Sequence, residues 1–372
     1  MKKIKKVILS GGGTGGHIYP ALSIYNGLKK RYPDIEVLYI GTQKGLESTI
    51  VPKAGIPFRS IEIQGLKRSL SIENIKTIYQ TLISTMKAKK LVKSFKPDVV
   101  IGTGGYVCAP VLLAASFLSI PTFIHEQNSV AGVTNKLLSR FSDRIGICFP
   151  EAKESFKGNE EKIVLTGNPR GQEVANTAVD REILATQFNL DPSKSTVLIF
   201  GGSRGAPAIN NAALSALDNW VSCGYQVIIA TGTTHYDELL TEYELDTGSP
   251  NENVRIVSYI DDMPKVLQAI DLVVSRSGAT TLTEITALGL ASILIPSPYV
   301  TNNHQEHNAM SLVMKEAAKM IKEAELDGNK LANMVNDLMS NPAELNQMAK
   351  NAKELGIPNA TDLIIEEIEK MI

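Results

Sequence analysis

Apolar residues in this chain fall into short continuous runs separated by longer amphipathic segments. Lys6–Leu9, Val37–Ile40, Val99–Ile101, Thr122–Ile124 and Arg144–Ile147 are too short for helices, and they read as strands buried on both faces. Between them lie helical patterns, about Pro20–Arg31 and Ala109–Ser119. Around Ile163–Pro169 the pattern restarts, with strands at Val197–Phe200, Gln226–Ala230, Val254–Val257, Leu272–Ser275 and Ser292–Ile295, and a helix over Ala206–Trp220. A strand, a glycine-rich loop and a helix occur in succession twice, at 7–20 and 197–212. Short buried strands alternating with helices predict an α/β chain of two doubly wound, Rossmann-like parallel-sheet domains facing a cleft. The expected domains are 1–167 and 168–345, with a C-terminal helix of about 346–372 packing back on the first.

Composition narrows the classes. A chain of 372 residues is long enough for two domains. The formal net charge of −1 gives no global basic field, so no nucleic-acid partner is expected. Cys108, Cys148 and Cys223 are far apart and odd in number, which argues against a disulfide framework or a zinc site and for a reducing compartment. Val99–Ile124 carries no charge, but glycines and prolines break it up. Its helix of about 11 residues would span only ~16 Å, half of the ~30 Å hydrocarbon core, so no membrane span is expected. The basic N-terminus is followed by an apolar run too short for a signal peptide.

Chemistry-bearing residues cluster at predicted strand ends. Ser10-Gly-Gly-Gly-Thr-Gly-Gly-His17 opens a helix, where free N–H groups can meet a phosphate. A dinucleotide site would place an acidic residue after the second strand, but that strand ends in Gly41-Thr42. The positive end of the helix dipole disfavours imidazolium at His17, leaving a neutral ring able to accept a proton. A loop histidine that only bonds backbone would look the same. His125-Glu-Gln-Asn128 follows a strand, and Glu126 and Asn128 could hold sugar hydroxyls or a peptide-bearing acceptor; a polar turn is the plainer reading. Ser275-Arg-Ser-Gly278 leads into a helix near Thr280, with Glu284 about one turn in, where a carboxylate can accept from both hydroxyls of a ribose. Thr281-Leu-Thr-Glu284 also fits a capping box. Gln305 and Asn308 share a helix face and could hold a sugar, while His304 and His307 lack a third ligand for a metal.

Taken in order from residue 11 to 308, these pieces resemble the MurG family of N-acetylglucosaminyltransferases. Gly11–His17, His125–Asn128, Gly167-Asn-Pro169, Gly201-Gly-Ser-Arg-Gly205, Ile260-Asp-Asp-Met263, Ser275–Ala279 with Glu284, and His304-Gln305 with Asn308 carry the resemblance. It implies a GT-B fold and an inverting transfer of N-acetylglucosamine from UDP-N-acetylglucosamine (UDP-GlcNAc) to lipid I, giving lipid II for peptidoglycan. It implies His17 and, second, Glu126 as candidate bases. Thr14, Gly15, Gly16, His17, His125 and Asn128 would lie on the acceptor side. The donor side would take Thr14, Gly15, Gly16, Asn128, Arg170, Ser203, Arg204, Asn210, Ile260, Ser277, Gly278, Ala279, Thr280, Glu284, Gln305 and Asn308. The chain departs from the family at Arg204, where Gln is usual, and at Gly171, where Arg is usual and Arg170 stands one place earlier. No tightly bound cofactor or metal is expected. A UDP-GlcNAc epimerase and a non-catalytic UDP-sugar sensor are the alternatives.

Between Leu66 and Lys96 eight basic residues accompany a single acidic one, Glu73. Ile75, Tyr79, Leu82 and Met86 recur at helical spacing beside Lys67, Arg68, Lys87 and Lys90. Part of this stripe should face the core. The rest predicts a basic rim around exposed apolar residues that docks on anionic phospholipid at the cytoplasmic face of the cell membrane. Cell-wall synthesis and division proteins are further expected partners.

Overall fold

The computed structural model describes residues 3–63, 72–178, 180–202, 205–245 and 248–372, the side chains of 72–80 excepted. Lys67, Arg68, Ser203 and Arg204, and the side chains of Ile75 and Tyr79, therefore lie outside the described residues. The chain divides into two compact units, Met1–Gln172 with Asn359–Ile372, and Glu173–Pro358.

Unit 1 holds β1 (Lys6–Ser10), β2 (Glu36–Gly41), β3 (Phe58–Ser60), β4 (Val99–Gly102), β5 (Thr122–Glu126), β6 (Arg144–Ile147) and β7 (Ile163–Leu165). They form one parallel sheet in the order β3-β2-β1-β4-β5-β6-β7. Unit 2 holds β8 (Thr196–Phe200), β9 (Gln226–Ala230), β10 (Val254–Val257), β11 (Leu272–Ser275), β12 (Ala291–Leu294) and β13 (Lys319–Met320), again all parallel, in the order β10-β9-β8-β11-β12-β13. Two Rossmann-like sheets of this kind are the GT-B fold.

The central strands are buried on both faces, as their unbroken apolar runs require. Each sheet reverses its strand order once. The chain goes from β1 to β2 on one side and returns to β4 on the other; β8 stands likewise between β9 and β11. The crevice outside the strand ends at such a reversal is where open α/β sheets bind ligands.

The C-terminal segment differs from the single returning helix expected over about 346–372. Helix Pro342–Leu355 packs in unit 2 against helix Ala279–Leu288 and β12. Gly356 and Pro358 then interrupt it, because proline cannot continue a helix. Only Ala360–Lys370 belongs to unit 1, where it lies on helix Gly15–Arg31 with Arg31 2.7 Å from Glu369. Among the described residues no helix is long and apolar enough to cross a membrane.

Candidate active site

In unit 1 the loops after β1 and β4 meet at the strand reversal. Gly12 N–H donates to the Gly104 carbonyl at 3.2 Å, and the Cys108 thiol reaches the Ser10 and Gly104 carbonyls at 3.1 and 3.0 Å. Complete burial pushes that thiol up to about 12, so Cys108 is a packing group. Helix Gly15–Arg31 starts five residues earlier than the sequence suggested, with Thr14 as an extended N-cap that makes no side-chain cap bond and Pro20 inside the helix. The first N–H groups of the helix, at Gly15 and Gly16, therefore have no partner within it. His17 sits in this first turn, half-buried. Its Nδ1 is 2.9 Å from the Gly12 carbonyl oxygen, with Thr14 Oγ1 farther away at 3.4 Å. A carbonyl can only accept, so Nδ1 carries the hydrogen and the neutral ring keeps its lone pair on Nε2. The ring lies against Gly104, where a Cβ would come within 2.7 Å of it.

The β5 motif is tied closely into its surroundings. His125 is fully buried: Nε2 donates to the Gly167 carbonyl at 2.9 Å and Nδ1 accepts from Gln127 Nε2 at 2.9 Å. Burial lowers its pKa to about 4, against a small opposing effect of the Gly167 bond. The buried ring thus bridges β5 and the 166–168 segment. Glu126, only 2% exposed, accepts from Asn128 N and Nδ2 through Oε1 and from Gly132 N and Asn135 Nδ2 through Oε2. Both oxygens are committed to the 128–135 segment. Glu126 thereby holds that loop, and with it the half-buried Asn128. Arg170 lies in unit 1, with its guanidinium 6.0 Å from the Tyr19 ring centroid.

In unit 2 the loop after β8, the segment after β11 and the 297–305 segment enclose a cavity of about 530 Å³, lined among others by Gly201, Gly205, Arg276, Ser297, Gln305 and Glu323. Helix Ala279–Leu288 begins behind Gly278, an extended N-cap with no side-chain bond. The N-cap is not Thr281, so Glu284 stands beyond the capping-box position and the capping explanation for it fails. Glu284 is largely buried, Thr280 is partly exposed, and Ile260 follows β10 with its side chain in the interior. Ser277, Asn308 and Asn210 are almost wholly buried. Each of them holds a main-chain carbonyl of a neighbouring segment. Ser277 Oγ donates to the Gln305 carbonyl at 2.7 Å, Asn308 Nδ2 to the Ser277 carbonyl at 3.2 Å, and Asn210 Nδ2 to the Thr231 carbonyl at 2.9 Å. Gln305 Oε1 accepts from Ser297 N at 2.9 Å.

Both halves match one family. Family models of the glycosyltransferase family 28 N-terminal and C-terminal domains match residues 7–147 and 196–364. A Halalkalibacterium halodurans protein named UDP-N-acetylglucosamine--N-acetylmuramyl-(pentapeptide) pyrophosphoryl-undecaprenol N-acetylglucosamine transferase is 54% identical over 368 residues, covering 98% of this chain and 100% of that protein. The crystal structure of Acinetobacter baumannii MurG superposes with a TM-score of 0.79 at 30% identity, over 99% of this chain and 100% of that one. The chain belongs to the MurG family.

A structure of Neisseria meningitidis UDP-GlcNAc 2-epimerase bound to UDP-GlcNAc shares the fold alone, with a TM-score of 0.67 at 15% identity over 99% of this chain and 100% of that one. The structure also places beside these loops residues that the sequence pattern did not single out. Glu47, fully buried, accepts from Gly13 N at 3.1 Å and from Thr42 N and Oγ1 at 3.0 and 2.7 Å. In the sequence it looks like an ordinary acidic residue of a helix's first turn; the nearby Gly41 and Gly45 were the available signal. Arg276 pairs with Glu323 and donates to the Ile295 carbonyl at 3.1 Å on the cavity wall. Glu323 comes from the segment after β13, far away in sequence.

Proposed function

We propose that this protein transfers N-acetylglucosamine from UDP-GlcNAc to N-acetylmuramyl-(pentapeptide) pyrophosphoryl-undecaprenol, with inversion at the anomeric carbon. The full-length relationship to transferases of that name supports the substrates. The observation that carries the chemistry is His17, whose Nδ1 bond to the Gly12 carbonyl leaves Nε2 as an acceptor.

His17 Nε2 takes the proton of the acceptor hydroxyl. The oxygen's electron pair forms the new bond to the anomeric carbon, the bond from that carbon to the diphosphate oxygen breaks, and its electrons leave with UDP. One in-line displacement inverts the centre. The leaving diphosphate is stabilised by the N–H groups at the start of helix Ala279–Leu288, by the β8 loop with Ser203, and by the Arg276 guanidinium. With those donors in place the reading needs no metal or tightly bound cofactor. Ile260 main-chain groups read the uracil, Glu284 holds the ribose and Gln305 the sugar, while Thr14, Gly15, Gly16 and Asn128 serve the acceptor.

The acceptor's lipid requires a membrane surface, and helix Ile72–Phe95 offers one in part. Ala88 and Val92 are in the core, but Leu82 and Met86 are 63% and 67% exposed beside the exposed Lys89 and Lys90. Phe117 and Phe141, also exposed, meet edge to face at 6.5 Å between centroids. We read these residues as a peripheral contact with anionic phospholipid at the cytoplasmic face of the membrane.

The test is UDP release from UDP-GlcNAc with and without the lipid-linked acceptor. Release that requires the acceptor is expected. An epimerised donor with no net UDP release would support the epimerase, and donor binding with neither release nor epimerisation would support a sensor.

A further inference from the structure

Two contacts in unit 1 fall on the same peptide unit, the one joining Gly12 to Gly13. Its N–H donates to Glu47 Oε2 at 3.1 Å, and its C=O accepts from His17 Nδ1 at 2.9 Å. The imidazole and the carboxylate, 30 residues apart in sequence, are thus connected through one planar group. We infer that Glu47 is a positioning residue for the transfer, acting on His17 through this peptide. The inference rests on the reading of His17 as the base.

The carboxylate is set into the fold for this contact. It is fully buried, and its other oxygen is fixed by Thr42 N and Oγ1. Three glycines make room for it. A Cβ on Gly12 would stand 2.5 Å from Oε1, one on Gly45 2.1 Å from Oε2, and one on Gly41 2.6 Å from Cγ. On the far side of the loop, Gly12 N–H is held by the Gly104 carbonyl, and Gly104 itself gives the imidazole its space. The peptide is therefore held on both sides, with its carbonyl directed at the ring.

Glu47 has two effects. It fixes the direction of the Gly12 carbonyl, and so the tautomer that leaves Nε2 free. When Nε2 takes the acceptor's proton, the ring becomes cationic and its Nδ1–H bond to Gly12 strengthens. A peptide whose N–H already donates to a carboxylate is a better acceptor at its oxygen, because hydrogen bonds in a chain polarise one another. No proton leaves Nδ1 or the peptide nitrogen. Only the charge on the ring is met, by an anion one peptide away. The arrangement does for this histidine what a directly bonded carboxylate does in a catalytic triad, with an amide between them.

The test is a cycle of His17→Ala, Glu47→Gln and the double variant in the full-length protein, with saturating lipid-linked acceptor. Gln keeps the shape of Glu47 and one accepting oxygen and removes the charge. The expected result is a kcat about 10-fold lower in Glu47→Gln, the order seen when the group orienting a functional imidazole is removed. The KM for UDP-GlcNAc should be unchanged, and the double variant should be no slower than His17→Ala. Two results would overturn the inference while leaving His17 as base: a normal kcat in Glu47→Gln beside a crippled His17→Ala, or the same loss from Glu47→Gln whether or not His17 is present. A normal kcat in His17→Ala removes the base itself and the relay with it. If Glu47→Gln does not fold, long-range ¹H–¹⁵N spectra of the wild-type His17 ring decide. A protonated Nδ1 with a bare Nε2 in the neutral ring supports the relay; the opposite tautomer overturns it.

Discussion

The Ser277 hydroxyl donates to the main-chain carbonyl of Gln305, and Asn308 returns a bond to the Ser277 carbonyl. The start of the helix that carries Gln305 is thereby pinned to the end of β11. Gln305 is held in place by a buried hydroxyl. Ser277→Ala should raise the KM for UDP-GlcNAc about 5-fold, the equivalent of one hydrogen bond of ~1 kcal/mol, with kcat little changed. Steady-state kinetics with varied donor checks this. An unchanged KM would mean that the helix is held by other contacts.

Glu284 lies beyond the capping position of its helix, so its removal should cost the helix no cap bond. Glu284→Ala should weaken UDP binding by roughly 10- to 100-fold, matching ~1.5–3 kcal/mol for hydrogen bonds to a charged group. Titration of UDP into the folded variant, together with its melting temperature, separates this from a structural role. A large fall in melting temperature with unchanged UDP affinity would go against it.

His125 gives a pH dependence of known sign. Burial lowers its pKa from 6.5 to about 4. As pH falls below 6.5 the unfolded chain takes up a proton that the folded chain refuses, so stability declines until about pH 4 and this contribution then levels off. Between about pH 7.5 and about pH 5 the loss should be about 2 kcal/mol, its slope approaching ~1.4 kcal/mol per pH unit once the unfolded histidine is protonated. Urea unfolding at the two pH values measures it. His125→Gln, which does not titrate, should show a flatter dependence than the wild type.

The exposed apolar residues of helix Ile72–Phe95 predict membrane binding that depends on charge and salt. A charge-reversal variant at Lys67, Arg68, Lys87 and Lys90 should fail to sediment with anionic vesicles, since each basic residue near such a surface contributes ~1 kcal/mol. It should act poorly on membrane-embedded acceptor and normally on a short-chain soluble one. A variant that still sediments like wild type would move the docking surface elsewhere.

The central strands and both glycine loops were legible in the sequence because burial on both faces leaves an unbroken apolar run. The edge strands β3, β7 and β13 were not. Phe58–Ser60, Ile163–Leu165 and Lys319–Met320 are two or three residues long and partly exposed, so sequence alone gives them no apolar signature. Motif residues were found at strand ends, but the sequence could not separate those that reach the surface from those that hold the loops. His125, Glu126, Ser277 and Asn308 look like ligand contacts in a motif, and in the structure each also holds a neighbouring segment. Glu47 and Glu323 were missed for the opposite reason. Their partners, Gly13 and Arg276, are distant in sequence and are brought to them only by the sheet order.

The central claim is transfer of the sugar to the lipid-linked acceptor. Its most direct test is incubation of the purified protein with UDP-GlcNAc radiolabelled in the sugar and with N-acetylmuramyl-(pentapeptide) pyrophosphoryl-undecaprenol, followed by counting the organic-solvent-extractable lipid. The account predicts label in the lipid fraction that matches the UDP released, and its near-complete loss in His17→Ala. Label that stays entirely water-soluble in the presence of intact acceptor would contradict it.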